Sequence, residues 1–306
     1  MFRQRPDLNT LPVVADGRVV GMIQRITFNH LYFSRYGREL YGRKPVAWFM
    51  QGEPLTVEHD LQLADVSRLL TDVVADQVEQ EFIVVHEGHY LGMVRVLDLL
   101  RRITDLQMRA ARHANPLTLL PGNVPVYECV ADLLRRQTSF AVAYCDIDHF
   151  KPFNDLHGYS RGDEVIKRLA ELAVQHCDSE RDLIGHIGGD DFVLVLCSAD
   201  WHERCERLLS AFKEAALEFS SSEEQAAGGI WSEDRRGQKQ FFPLLGLSIG
   251  VVLPDPARCH SHHDVAALAA KAKHQAKRRR GAAADGALYV DRRRGPDSVQ
   301  TTASPM

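Results

Sequence analysis

No stretch of this 306-residue chain approaches the roughly 20 consecutive apolar residues that cross a bilayer, and its opening residues, MFRQRPDLNTLPVV, lack the apolar core of a signal peptide. No membrane partner is expected, and a cytoplasmic protein is. Cysteines are few and scattered: six, at positions 129, 145, 177, 197, 205 and 259, with no CxxC pair. Neither a disulfide nor a zinc framework is predicted, and several of them, set in apolar runs, read as reduced core thiols. An excess of positive charge is also missing. The 37 Lys+Arg are outnumbered by 41 Asp+Glu, a net of −4, so DNA is not an expected partner despite short basic runs at 277–280 and 292–294. What is present, 45% hydrophobic and 25% charged residues, is ordinary globular composition and excludes wholesale disorder and fibrous repeats. The length suits two domains.

One pattern occurs twice in the first hundred residues. LPVVADGRVVGMIQRITF (11–28) reads as a β-branched run, an Asp16-Gly17 turn, a second run and a helix-like segment. EFIVVHEGHYLGMVRVLDLL (81–100) repeats it around Glu87-Gly88. Turn residues between β-branched runs predict hairpins, and two copies about seventy residues apart predict a duplicated unit. Between them, Leu61, Ala64, Val66, Leu69, Leu70 and Val73 fall at helical spacing after Asp60, a candidate cap. This strand, helix, strand, strand, helix order over residues 1–105 resembles a tandem pair of CBS domains. The resemblance implies an adenine-nucleotide cleft, in which Asp98 of the Gly92, Arg95, Asp98 set would hold ribose, or else a purely structural or dimerising role. The first repeat lacks a leading strand and helix, as expected of a chain descended or cut from a longer protein. Residues from Val96 to His113 form a helical pattern ending before Asn115-Pro116, read as a linker helix (106–114) that either packs on its own domain or serves as a dimer stalk.

The chemistry is concentrated in the second half. AVAYCDIDHFKPFNDLHGYSRGDEVIKRLAEL (141–172) predicts a buried strand ending in Asp146 and Asp148, then a polar segment and a helix. In an extended strand both carboxylates share a face, but a frayed end needs only one in a site. DLIGHIGGDDFVLVL (182–196) predicts a hairpin with Asp190 and Asp191 at its tip. An acidic strand end beside an acidic hairpin tip makes an oxygen-lined cation site suited to Mg²⁺ (or Mn²⁺), which uses one or two carboxylates plus substrate phosphates. Taken alone, Gly-Gly-Asp-Asp reads equally as a solvated turn. HSHH at 260–263 reads as an incidental loop cluster.

Five ordered motifs make residues 114–291 resemble a GGDEF domain, the family of diguanylate cyclases: NPLTLLPGN (115–123), CDIDHFKPFNDLHGYSRGDEVI (145–166), IGGDDF (187–192), LLGLSIGVV (244–252) and AKAKHQAKRRRG (270–281). The resemblance implies an α+β or α/β fold: a polymerase-like palm whose antiparallel central sheet is flanked by helices, spanning 115–291 after the β-α-β-β-α CBS module and before a disordered tail (292–306). It implies condensation of two GTP into cyclic di-GMP and two pyrophosphates. Asp146, the carbonyl of Ile147 and Asp190 would hold metal, with Asp190, Asp191 and Lys151 as the catalytic set. His149, Phe150 and Lys151 would cradle phosphate, Asn154 and Asp163 would read guanine, and Lys277, with Arg280 as nearest substitute for a missing Arg, would reach the terminal phosphates. Since each site holds one GTP, two chains must face each other, which implies a homodimer.

The resemblance is incomplete in two places. Asp191 stands where Glu is usual, one methylene shorter, which bears on octahedral geometry. At the family's product-inhibition site the motif Arg-x-x-Asp reads Ser179-Glu180-Arg181-Asp182, keeping Asp182 alone. Two readings follow: a diguanylate cyclase under a CBS-type sensor, or a degenerate module that binds GTP or cyclic di-GMP and regulates a partner such as a phosphodiesterase domain.

Overall fold

The computed structural model describes the chain except for residues 7, 51–53, 74–80, 234–237, 281–286, 292 and 294–306, and the side chains at 71–73, 233 and 280. The expected tail therefore lies, apart from Arg293, outside the described residues. Two compact units divide at Arg109 and Ala110.

The first unit contains β1 (Thr10–Ala15), β2 (Arg18–Gln24), α1 (Arg25–Tyr32), α2 (Gly37–Tyr41), β3 (Thr56–Glu58), α3 (Leu63–Val73), β4 (Glu81–His86), β5 (His89–Arg95) and, as far as Arg109, α4 (Val96–His113). Its five strands form one sheet in the order β1-β2-β5-β4-β3. Both hairpins form, and they match in detail at an offset of 71 residues: Asp16 and Glu87 each take φ 50°, Gly17 and Gly88 take φ 80° and 79°, and each first strand has a register shift three residues before its turn. Positive φ at both central positions is the geometry that matches strand twist, and Gly supplies half of it without strain. The repeats differ in completeness, since β3 and α3 precede only the second hairpin. Val57, Val66, Leu70, Phe82 and Leu99 make the core. Helix α3 begins at Leu63, three residues after Asp60, because Gln62 O already accepts from the N–H groups of Asp65 and Val66. Asp60 is not the cap, and Leu61 and Leu69 are exposed. On α4 only Leu99 is buried, while Leu97, Leu100, Leu106 and Met108 face solvent.

The second unit holds α5 (Asn123–Arg135), β6 (Ala141–Asp148), α6 (Phe150–His157), α7 (Tyr159–His176), β7 (Leu183–Gly188), β8 (Asp191–Leu196), α8 (Trp201–Glu218), α9 (Ser222–Ala227), β9 (Gly229–Glu233), β10 (Lys239–Pro243), β11 (Gly246–Val252), α10 (His262–Arg280) and β12 (Ala287–Asp291). The main sheet runs β12-β11-β6-β8-β7, antiparallel except where β12 lies parallel to β11. The exception follows from connectivity: α10 intervenes between those two strands, and a helical crossover returns the chain in parallel. Strands β9 and β10 pair as a separate two-stranded ribbon, which periodicity did not disclose. Strand β6 is buried on both faces, as its near-continuous apolar run predicts. Its odd-numbered residues Ala141, Ala143, Cys145 and Ile147 pack with α7 and α8 through Leu169, Leu208 and Phe212. Val142 faces the other way, into a second core with Val126 of α5 and Leu268 and Ala272 of α10.

No described helix is long and apolar enough to cross a membrane. None of the six cysteines is in a disulfide, and burial pushes every thiol upward, to about 12 at Cys177 and Cys205, so none is poised as a nucleophile.

Helix α10 lies on β11 backbone to backbone at Gly250. A Cβ there would sit 2.2 Å from Lys273 N and 2.4 Å from Ala272 C, and neither atom belongs to a movable side chain. Gly250→Ala is therefore expected to lower stability by about 1–3 kcal/mol through overpacking, read as an earlier urea midpoint with an unchanged slope.

Candidate active site

Register brings the acidic residues together. Asp146 pairs with Asp191 on β8 and with Ser248 on β11, so it stands at the middle of three strands, and it is 3% exposed. Asp190 sits between β7 and β8 at a two-residue turn whose first position, Gly189, takes φ 57°. Asp148 is also buried, but both its oxygens accept from Ser248 Oγ, at 2.9 and 2.8 Å. The strand-end pair is thereby divided: Asp148 braces β6 to β11, and Asp146 faces the site.

The balancing charge comes from α10. Lys273 reaches Asp146 Oδ1 at 2.5 Å and also bonds Asp191, while Lys277, one turn on, pairs with Asp146 Oδ2. Burial lowers the Lys273 ammonium's affinity for its proton, but the two carboxylates outweigh it and hold the group charged. Burial, then the Asp146 charge, pushes the Asp190 carboxyl above the usual carboxylate range. The oxygens of these three carboxylates do not all come within 4.8 Å of one another. Asp146 Oδ2 is buried and, its ion pair aside, accepts no hydrogen bond among the described residues, which leaves a lone pair suited to a hard cation. The donor set fits Mg²⁺: Asp146 and Asp190 would hold it, with phosphate oxygens and water.

Beside this cluster, His149 caps α6 in the left-handed region at φ 56°, and the N–H groups of Phe150 and Lys151 open the helix. Lys151 is exposed. Asn154 Oδ1 is buried with no donor among the described residues, and a Cβ on Gly162 would lie 1.9 Å from it, so only glycine lets α7 come this close. Asp163, next along α7, is exposed. The side chain of Ile147 is in the core. Arg280 ends α10, with its side chain outside the described residues. Asp182 lies away from this group and accepts four hydrogen bonds of 2.9–3.0 Å from Asp178 N, Cys197 N, Ser198 N and Ser198 Oγ, clamping the start of β7 to the end of β8. Asp98 belongs to the first unit, where Arg95 holds it at 2.6 Å and Arg101 at 3.5 Å.

Sequence reading missed three contributors. Lys273 is the second cation, one turn before Lys277; its i, i+4 spacing was a visible signal. Ser248 was hidden inside an apolar run. His186 is buried under the signature turn, stacked on Phe192 with ring centroids 4.3 Å apart. Its Nε2 lies 2.9 Å from Gly189 O and its Nδ1 2.9 Å from Thr118 Oγ1. A carbonyl only accepts, so Nε2 carries the proton and the neutral ring accepts from the Thr118 hydroxyl. His186 N–H also donates to Pro121 O at 2.8 Å. The segment 115–123 thus covers the β7 edge and fixes the turn that presents Asp190.

Residues 113–241 match the family model described as diguanylate cyclase, GGDEF domain, and this segment is a GGDEF domain. Among characterised relatives, the chain is 27% identical over 195 residues to the cyclic di-GMP phosphodiesterase PdeB of Shewanella oneidensis, covering 61% of this chain and 21% of that protein. It is 28% identical over 174 residues to the diguanylate cyclase DosC of Escherichia coli, covering 56% and 30%. The chain thus spans about a fifth to a third of the length of these relatives. Among solved structures, the GGDEF domain of YfiN from Pseudomonas aeruginosa covers 58% of this chain and 94% of its own at 22% identity, with a TM-score of 0.42.

Burial lowers the pKa of His186, so the folded protein resists the proton that the unfolded chain accepts near pH 6.5. Stability is expected to be full above about pH 6.5 and to fall as the pH drops through the lower folded value. Urea unfolding at pH 7.5 and 5.5 measures this, and His186→Phe removes that part of the difference while lowering stability at both.

Proposed function

We propose that this chain is a diguanylate cyclase, condensing two GTP into cyclic di-GMP with release of two pyrophosphates. The observation that carries the reading is the buried Asp146 carboxylate at the centre of three carboxylates, whose Oδ2 meets the Lys277 ammonium and, among the described residues, no other donor, and which Lys273 and Lys277 alone among those residues balance by ion pairs. A divalent ion bound there would stabilise charge developing on the α-phosphate and lower the pKa of the attacking 3′-hydroxyl. The chain's own residues do the rest. Lys273 and Lys277 neutralise the acidic cluster before substrate arrives and then serve the phosphates. The N–H groups of Phe150 and Lys151 hold phosphate oxygens at the start of α6, with Lys151 adding charge. Asn154 offers its unpaired Oδ1, and Asp163 its carboxylate, to the guanine donors. Asp191, level with Asp146, accepts the hydroxyl proton once Lys273 turns from it to the phosphates.

Each site holds one GTP, so the reaction needs two chains face to face. The exposed apolar side chains of α4 support its use as the dimer stalk. A sensory role for the first unit, by way of a CBS-type adenine-nucleotide site, has its support in a cleft of about 390 Å³ lined by Arg5, Glu81, Arg95 and Asp98. A ribose there must displace Arg95 from Asp98. With six unreactive thiols and no disulfide among them, the chain suits the cytoplasm.

The second reading is a module that binds GTP or cyclic di-GMP without turnover and acts on a phosphodiesterase domain. Its support is Asp191, shorter than the usual Glu and tied to Lys273, together with the similarity to PdeB. Chromatography of product from GTP and Mg²⁺ separates the two. Wild type is expected to form cyclic di-GMP, Asp146→Ala to lose at least about a hundredfold in rate, and Asp191→Glu to gain rate. GTP bound by wild type without product would leave the second reading standing.

A further inference from the structure

The first unit holds another cluster of ligating side chains, chemically unlike the first. Strands β3 and β4 run parallel with Glu58 level with Val85. The His59 N–H donates to Val85 O at 2.9 Å, which brings His59 level with His86 just where both strands end. Their Nδ1 atoms are 3.2 Å apart and the rings meet edge to face, with centroids separated by 4.4 Å. Glu58 closes the third side, one of its oxygens steadied by the Glu87 N–H at 3.2 Å. One ligating atom from each of the three lies within 4.8 Å of the other two, and no other three His, Cys or acidic residues converge this closely among the described residues. All three are exposed, so burial does not account for their meeting.

Two imidazole nitrogens bound to one tetrahedral ion at about 2.0–2.1 Å stand about 3.3 Å apart, close to the separation found here. Two imidazoles and a carboxylate are the donor set of Zn²⁺ and its first-row neighbours, whereas Mg²⁺ prefers oxygen alone. We infer that Glu58, His59 and His86 form a binding site for a first-row transition dication of the Zn²⁺ class, held by Nδ1 of both histidines and a Glu58 oxygen, with water as fourth ligand. Ligation ties the end of β3 to the end of β4 and to the Glu87-Gly88 turn that follows. The site shares no residue with the acidic cluster of the second unit, so it stands whether or not that cluster turns over GTP.

The experiment is a Zn²⁺ titration of the metal-stripped full chain in excess Mg²⁺, which occupies oxygen-only sites, followed by calorimetry and by the visible spectrum of the Co²⁺-substituted protein. Wild type is expected to bind one equivalent, to show the strong visible bands of a four-coordinate Co²⁺ centre, and to melt higher with Zn²⁺. His59→Ala, His86→Ala and the milder His86→Gln are expected to weaken that equivalent about tenfold or more and to lose the bands, while circular dichroism stays unchanged because the side chains are exposed. A variant with His260, His262 and His263 all replaced by Ala is expected to keep both. Absence of Zn²⁺ binding by wild type overturns the inference, since the 3.2 Å approach is then a hydrogen bond between rings. Unchanged binding in His59→Ala and His86→Ala overturns it equally.

Discussion

A carboxylate buried at the centre of a sheet has to be compensated, and much of the second unit is organised around that requirement at Asp146. Strand register sets it between Asp191 and Ser248, out of reach of bulk water, where an unpaired charge would be prohibitive. Compensation arrives from one helix, α10, whose Lys273 and Lys277 face the sheet a turn apart. The helix can supply them because Gly250 lets its backbone lie directly on β11. Core packing and charge placement are therefore one problem with one solution: the apolar contacts of Leu268 and Ala272 against β6 and β8 set the height at which the ammonium groups meet the carboxylates.

The same economy divides the acidic residues. Among the aspartates that sequence marks as chemical, Asp148 and Asp182 spend their oxygens on strand-to-strand bracing, whereas Asp146, Asp190 and Asp191 keep theirs directed at the site. The bracing sets the positions of the others. Asp148 fixes β6 to β11 next to Asp146, and Asp182 fixes the far end of the hairpin that carries Asp190. His186 completes the frame from beneath by hydrogen-bonding the turn itself.

The legible part of the fold lay where local rules suffice. Both Gly-containing hairpins, the strand leading to Asp146 and the turn bearing Asp190 follow from β-branched runs and from residues that tolerate positive φ. The motif order also disclosed the GGDEF segment. The obscured part depends on contacts distant in sequence. His186 takes its role from Thr118, 68 positions away, and Ser248 takes its own from Asp148, 100 positions away, so neither is marked by its neighbours in the chain. Lys273 is hidden because the family pattern points to a second cation beyond Lys277, at Arg280, whereas the helix supplies it one turn earlier. The start of α3 is two residues later than Asp60 suggests, because Asp60 has the right chemistry for a cap while Gln62 O is the acceptor that the first turn uses.

The duplicated hairpins of the first unit touch at their turns. Strands β2 and β5 are joined in register at Arg18 and His89 alone, with the Tyr90 N–H reaching Gly17 O at 2.9 Å beside them. Six paired positions hold each hairpin together, so the strand-to-strand pairing between the copies is far sparser than within either. A sheet built this way is mechanically uneven: a pull across the strands passes between the copies through the Arg18–His89 pair at one end and, at the other, through Thr10, whose N–H and hydroxyl donate to the buried Glu81 carboxylate, whereas each hairpin spreads it over six pairs.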